Sequence, residues 1–255
     1  MPGELTLPLG TLFGFLLVVA RVGGALVFVP LPGMNAGPEP ARVVLTLGFS
    51  LALFPLWPAV AAPDLAIGRL AVWLLAEGAF GATVGLAVAL LIETLLVAAQ
   101  AFGVQAGYSY ASTIDPATEA DSNVLLVFAQ LTAGLLFFTL GLDREILRVF
   151  AHSMAAYPPG AFVLKPSTAE LILRLGSAMF STGLRLALPV VALLMLVDIA
   201  LALMGRMHAQ LQLIALAFPV KMLATLAFLA IVVAFFLPVF RAAAGRTFSS
   251  LLGML

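Results

Sequence analysis

The chain has 255 residues, of which 63% are apolar and 9% charged, with 12 Lys and Arg balanced by 12 Asp and Glu and no cysteine. So few charges cannot cover a water-soluble fold, which carries roughly 25%, and the mean hydropathy of +1.18 points instead to lipid. Zero net charge excludes the basic footprint of a nucleic-acid binder, and the lack of thiols excludes disulfides, thiolate metal sites and cysteine nucleophiles.

Met1 to Gly10 contain no Lys or Arg, which the n-region of a secretory signal requires, so the amino terminus is expected to belong to the mature protein. The first apolar run, Leu9 to Pro30, ends in the cluster Pro30, Pro32, Gly33, Gly37, Pro38 and Pro40, which cannot continue a helix. Further runs follow at about Val43 to Ala61, Leu70 to Phe102, Val124 to Leu142, Leu171 to Leu203 and Leu213 to Phe240, and six spans are the simplest count. A bilayer core takes about 20 apolar residues per helix. The two longest runs exceed that and are expected to tilt, to kink at Pro189 or Pro219, or to project beyond the lipid. The expected fold is an all-α integral membrane protein, about six long hydrophobic helices in hairpins joined by short loops. No fixed-period repeat and no low-complexity linker divides it.

With six spans, Arg69, Arg144, Arg148, Lys165, Arg174, Arg241 and Arg246 fall on the amino-terminal side, and Arg42 and Arg206 fall opposite. The positive-inside rule then puts both termini in the cytoplasm. The segment from about Gly103 to Asn123 faces the other way and holds Asp115, Glu119 and Asp121 without a basic residue.

Arg21, Glu77, Glu93, Arg185, Asp198 and Lys221 lie inside apolar runs. Each would cost roughly 2.5 to 3.5 kcal/mol facing lipid at the centre of a helix. They either pair within the bundle, or snorkel near a helix end, or face a pore or partner subunits. Glu77, Gly81, Gly85, Ala89 and Glu93 recur every fourth residue, a ridge whose Gly-x-x-x-Gly centre allows close approach of another helix. Four residues turn through about 400°, so the ridge winds and the two acids do not share one face. Helix packing is the plain reading of this ridge, and a paired-carboxylate proton relay is the alternative.

His152 and His208 stand outside any ligand spacing, and no metal is assigned. Gly141 to Glu145 reads as a solvated helix end. No Gly-rich phosphate loop and no nucleophile with a nearby base is present, so no catalytic residue and no cofactor are expected.

Several segments in fixed order resemble the FliR family of flagellar biosynthetic proteins, whose virulence-secretion relatives are the SctT proteins of the type III export apparatus. Val19 to Val22 and Val29 to Pro32 are similar to the family's R-V-G helix and apolar-Pro loop, with Arg21 on its arginine. Gly107 to Pro116 resembles a G…D-P loop that ends in Asp115 and Pro116. Ser153 to Gly160 resembles an S-F-x-x-x-P-x-G element, the feature that favours a flagellar over a virulence apparatus. Ala187, Leu188 and Pro189 precede the carboxy-terminal match, Phe218 to Lys221, which is similar to F-P-x-K. Arg206 to Gln212 departs from R-x-x-P-Q-x-N: Ala209 replaces a proline, restoring a backbone donor, and Gln212 replaces an asparagine.

The resemblance implies a noncatalytic subunit of an export gate in the bacterial inner membrane and flagellar basal body. It would assemble with P-type and Q-type membrane subunits and other export apparatus proteins into a helical channel for unfolded rod, hook and filament subunits, partly above the plane of the bilayer. Residues 1–142 would be P-type-like and 143–255 Q-type-like. Arg21, Glu77, Gly81, Gly85, Glu93, Arg206, Gln210, Phe218, Pro219 and Lys221 would serve packing and assembly. The segment from Gly103 to Ser122 would plug the closed channel through Gly103, Gly107, Tyr108, Tyr110, Asp115 and Pro116. Gly103, Gly107, Ser109, Ser112 and Thr113 make it flexible and wettable, Tyr108 and Tyr110 add bulk, and the alternative is an ordinary connection. Two other classes compete. A secondary transporter would use Glu77, Glu93, Asp198, Arg185 and Lys221 near the midplane. An intramembrane enzyme would need a convergent nucleophile or metal set.

Overall fold

The computed structural model describes residues 9–29, 39–57, 67–108, 124–157, 162–163, 165–207 and 213–255. The described residues are almost entirely helical, as expected for the all-α membrane class. The helices are α1 (Leu9–Phe28), α2 (Glu39–Ala52), α3 (Ile67–Ala106), α4 (Val124–Thr139), α5 (Leu142–Ala156), α6 (Pro166–Met207), α7 (Leu213–Val232) and α8 (Phe236–Leu252).

Among the described residues four helical stretches are long and apolar enough to cross a membrane: α1, α3, α6, and the stretch Ala217–Leu252 that runs through α7 and α8. A fifth arises if α4 and α5, bent by 59° at their junction, make one broken span. The difference from six lies mainly in the second apolar run. It forms a helix of 14 residues, about 21 Å long at 1.5 Å per residue, short of the roughly 30 Å hydrocarbon core. Pro55 turns the chain into the short 3-10 helix Phe54–Leu56 before the run can extend. At the other extreme, α3 and α6 have 40 and 42 residues, about 60 Å each, roughly twice one crossing. Pro189 lies within an unbroken α6, and Pro219 within α7.

The helix ends follow local chemistry. Pro166 opens α6 at a position whose amide would have no helical partner. Gly141 sits in the left-handed region at φ +67°, which an L side chain resists, and so allows α4 to turn into α5. Asp143 and Glu145 then occupy the first turn of α5, where negative charge complements the exposed amides.

The chain divides into two compact units. Unit 1 comprises residues 1–91, 137–175 and 244–255, and unit 2 comprises residues 92–136 and 176–243. In unit 1, α1 and α2 form a hairpin. Arg42 donates to the Val27 carbonyl at 3.2 Å, and Trp57 stacks on Phe15 at 4.8 Å while its indole donates to the Ser50 carbonyl at 2.8 Å. The amino-terminal part of α3 meets α1 backbone to backbone. A Cβ on Gly81 would strike the Arg21 carbonyl, one on Gly85 would lie 2.8 Å from the Ala25 Cα, and one on Gly24 would strike the Gly78 carbonyl. In unit 2 the same device recurs where α6 meets the end of α3: a Cβ on Gly183 would sit 2.8 Å from the Thr94 carbonyl oxygen.

Candidate functional site

Two polar clusters stand out among the apolar helices, one in each unit. In unit 1, α1 carries Arg21, whose side chain is 1% exposed. Its Nε donates to Glu77 Oε2 of α3, its Nη1 to Ser153 Oγ of α5 at 2.9 Å, and its Nη2 to the Tyr157 carbonyl at 3.2 Å. The guanidinium also lies 4.9 Å from the centre of the Phe80 ring. Glu77 and Ser153 are buried as well, and Ser153 Oγ donates to the Phe150 carbonyl at 2.7 Å. Tyr157 extends the cluster: its hydroxyl donates to the Met254 carbonyl at 2.9 Å, and its ring meets Phe162 at 5.9 Å. A charge this deep persists only when paired and hydrogen-bonded. The cluster thereby locks the register of α1, α3 and α5.

In unit 2 the carboxyl end of α3 is fastened to α6 and α7. Gly107 sits at φ +86°, with its amide donating to the Val104 carbonyl at 3.1 Å and the Tyr108 amide donating to the Gly103 carbonyl at 3.1 Å. This crossed pair is the Schellman closure of a helix, which needs a residue tolerant of the left-handed region. A Cβ on Gly107 would also come within 2.8 Å of the Phe218 ring, so the F-P-x-K segment of α7 lies directly against this turn. The Tyr108 hydroxyl donates to the Met222 carbonyl at 3.3 Å. Beside it, Asp198 of α6 accepts from Gln105 at 2.9 Å and from Lys221 at 2.9 and 3.1 Å. Lys221 is 16% exposed and Asp198 41%.

The remaining predicted residues fall differently. Gly81 and Gly85 line the approach to α1. Gly103 is in the last turn of α3 rather than at the start of a loop. Phe218 is half-buried, Pro219 exposed, and Arg206 exposed in the last turn of α6. Glu93 and Arg185 point outward from apolar helices, and neither has a hydrogen bond or ion pair among the described residues. Tyr110, Asp115, Pro116 and Gln210 lie outside the described residues. Gly24, Gly78 and Gln105 were not singled out from sequence. Gly24 and Gly78 were detectable only as small residues one turn from Arg21 and Gly81, and Gln105 carries no pattern at all. Among the described residues no three of His, Asp and Glu converge on a metal-sized site.

Comparison with known proteins adds identity to this geometry. Residues 12–247 match the family described as Bacterial export proteins, family 1. The chain is 29% identical over 184 residues to the flagellar biosynthetic protein FliR of Pectobacterium carotovorum, covering 71% of this chain and 70% of that one. It is 27% identical over 203 residues to FliR of Escherichia coli K12, covering 79% and 77%. To FliR of Caulobacter vibrioides it is 26% identical over 216 residues, covering 84% and 86%.

Proposed function

The chain belongs to family 1 of the bacterial export proteins, the FliR family, and from that premise we propose that it forms part of the wall and closure of a protein-export channel. It is a component of the flagellar type III export apparatus and a multi-pass helical protein of the inner membrane. The observation that carries this is the family match over residues 12–247, a span that includes both the Arg21 cluster and the Gly107–Lys221 cluster.

The work proposed for the chain is mechanical. It holds no role in catalysis and binds other export subunits, namely P-type and Q-type membrane proteins, with residues 1–142 P-type-like and 143–255 Q-type-like. Glu93 and Arg185 support an assembly reading: each would cost roughly 2.5 to 3.5 kcal/mol facing lipid, and a partner helix or an aqueous channel removes that cost. Both termini face the cytoplasm in this reading. The segment that begins after Tyr108 closes the channel, and its amino-terminal root is supported by the Gly107 turn, the Tyr108 hydroxyl and Phe218. A hinge that must return to one closed position benefits from a rigid root of this kind. The transporter reading loses support because Glu77 engages Arg21 and Asp198 engages Lys221, leaving fewer groups for a coupling ion.

The test is removal of Tyr108 to Thr113 in cells that overproduce the assembled complex. Passive permeability to small ions is expected to rise while the complex still assembles, and Asp115→Ala, at a position that Pro116 restricts to extended backbone, is expected to leak more weakly. An assembled complex as tight as wild type after the deletion would leave the segment as an ordinary connection.

A further inference from the structure

We infer that a polar cleft at the amino end of α6 binds the phosphate of an anionic phospholipid headgroup. The cleft belongs to unit 1, has a volume of about 420 Å³, and is lined by Lys165, Ser167, Thr168 and Arg174 from the start of α6 and by Ser250 from the end of α8. It borders the outer edge of the Arg21 cluster through Tyr157, Phe162 and Met254 but takes its cations from outside that cluster, and the inference rests on the membrane location of the chain rather than on the export reading.

Three independent observations converge on an anion. First, α6 presents its amino terminus here, where the helix dipole favours negative charge. Pro166 has no amide and the Thr168 amide is taken by the Lys165 carbonyl at 3.0 Å, so Ser167 supplies the available backbone donor. Second, Lys165 and Arg174 bring two cations on long, exposed side chains that can close over a ligand. Third, Thr168 is only 4% exposed, lines the cleft, and its hydroxyl has no hydrogen-bond partner among the described residues. Since no buried side-chain oxygen among the described residues lacks a partner, this hydroxyl opens onto the cleft, where it can donate to an anion. Glu170 also lines the cleft and opposes an anion. It sits 3.6 Å from Arg174 in an exposed i,i+4 pair, the kind of contact that exchanges readily for a stronger one.

The lipid origin of the phosphate follows from position. Immediately beyond the cleft α6 becomes a long apolar helix, with Leu173 largely exposed, so a headgroup in the cleft would leave its acyl chains beside apolar side chains. Tyr157, which follows α5, and Phe162 also line the cleft, giving the glycerol region an amphipathic wall. Basic pockets between membrane helices recognise anionic headgroups in this way.

The experiment is native mass spectrometry of the full-length chain, co-expressed with its export partners and exchanged into mixed micelles of phosphatidylglycerol and phosphatidylcholine. Wild type is expected to retain phosphatidylglycerol with a preference of roughly thirtyfold, at about 1 kcal/mol for each of the two basic residues. The double variant Lys165→Gln, Arg174→Gln should abolish the preference, and Thr168→Val should weaken it. Lys165 and Arg174 are exposed, and valine closely matches the shape of the buried Thr168, so unchanged thermal unfolding will verify that the variants fold. Arg148→Gln, an exposed basic residue outside the cleft, should retain the full preference. The proposal is overturned if the double variant keeps the preference, or if Arg148→Gln loses it equally, which would mean diffuse attraction. Displacement of the lipid by millimolar inorganic phosphate would reassign the cleft to a free anion, and displacement by an acidic peptide would reassign it to a protein partner.

Discussion

At the scale of single residues, the chain resolves its buried charges by pairing. Arg21 and Glu77 are 56 residues apart in sequence, and each is intelligible only through the other. Glu77→Gln would leave the guanidinium with a neutral partner in a site closed to water, and breaking a buried pair from one side costs about 3 to 5 kcal/mol. The expected result is a large drop in thermal stability in detergent, with much of it recovered in the double variant Arg21→Met, Glu77→Met, where no orphan charge remains. A single variant as stable as wild type would remove the register-locking role. Lys221→Met should do less. Its partner Asp198 is 41% exposed and keeps Gln105, so about 1 kcal/mol is expected, because such half-exposed pairs are screened. Equal losses from Glu77→Gln and Lys221→Met would show that burial does not separate the two sites.

At the scale of helices, glycine decides where backbones meet. Gly81→Ala adds one carbon in the path of the Arg21 carbonyl, so α1 must move, and overpacking of this kind costs about 1 to 3 kcal/mol. Gly176→Ala meets nothing within 4 Å in the amino-terminal third of α6 and should stabilise by roughly 0.5 to 1 kcal/mol through lower backbone freedom in the unfolded chain. Paired thermal unfolding curves of these two variants should therefore move in opposite directions. Gly107→Ala is a different case, because φ +86° costs an L residue roughly 1 to 2 kcal/mol and the Phe218 ring blocks the added carbon. Amide exchange at Tyr108 is expected to accelerate in that variant, since its bond to the Gly103 carbonyl depends on the same turn.

At the scale of the molecule, coverage of the helices is uneven. In the most apolar stretch of α3, 67% of residues are buried within the chain, whereas in α6 and in the stretch through α7 and α8 only 22% are. The open faces carry large side chains such as Phe180, Leu188, Leu196 and Leu203. Lipid covers such a surface adequately, but lipid does not favour Glu93 or Arg185 on it. The chain purified alone in mild detergent is accordingly expected to aggregate or be degraded, and co-expression with P-type and Q-type subunits to rescue it. A monodisperse monomer indifferent to those subunits in size-exclusion chromatography would count against the assembly proposal.

Composition pointed to lipid and the long continuous apolar runs pointed to helices, because a barrel strand is only about 10 residues of alternating polarity. The close-packing glycines were legible too, since Gly81 and Gly85 stand at a spacing that puts them on one ridge. The short second helix was less so: its hydropathy resembles a span, and only the local turn at Pro55 limits its length. The partners of Arg21, Asp198 and Lys221 were not legible at all. Groups 23 to 136 positions apart meet because helices pack at particular heights and rotations, a result of many apolar contacts that no local spacing encodes. Thus local chemistry fixed which residues needed partners, and tertiary packing alone decided which partners they found.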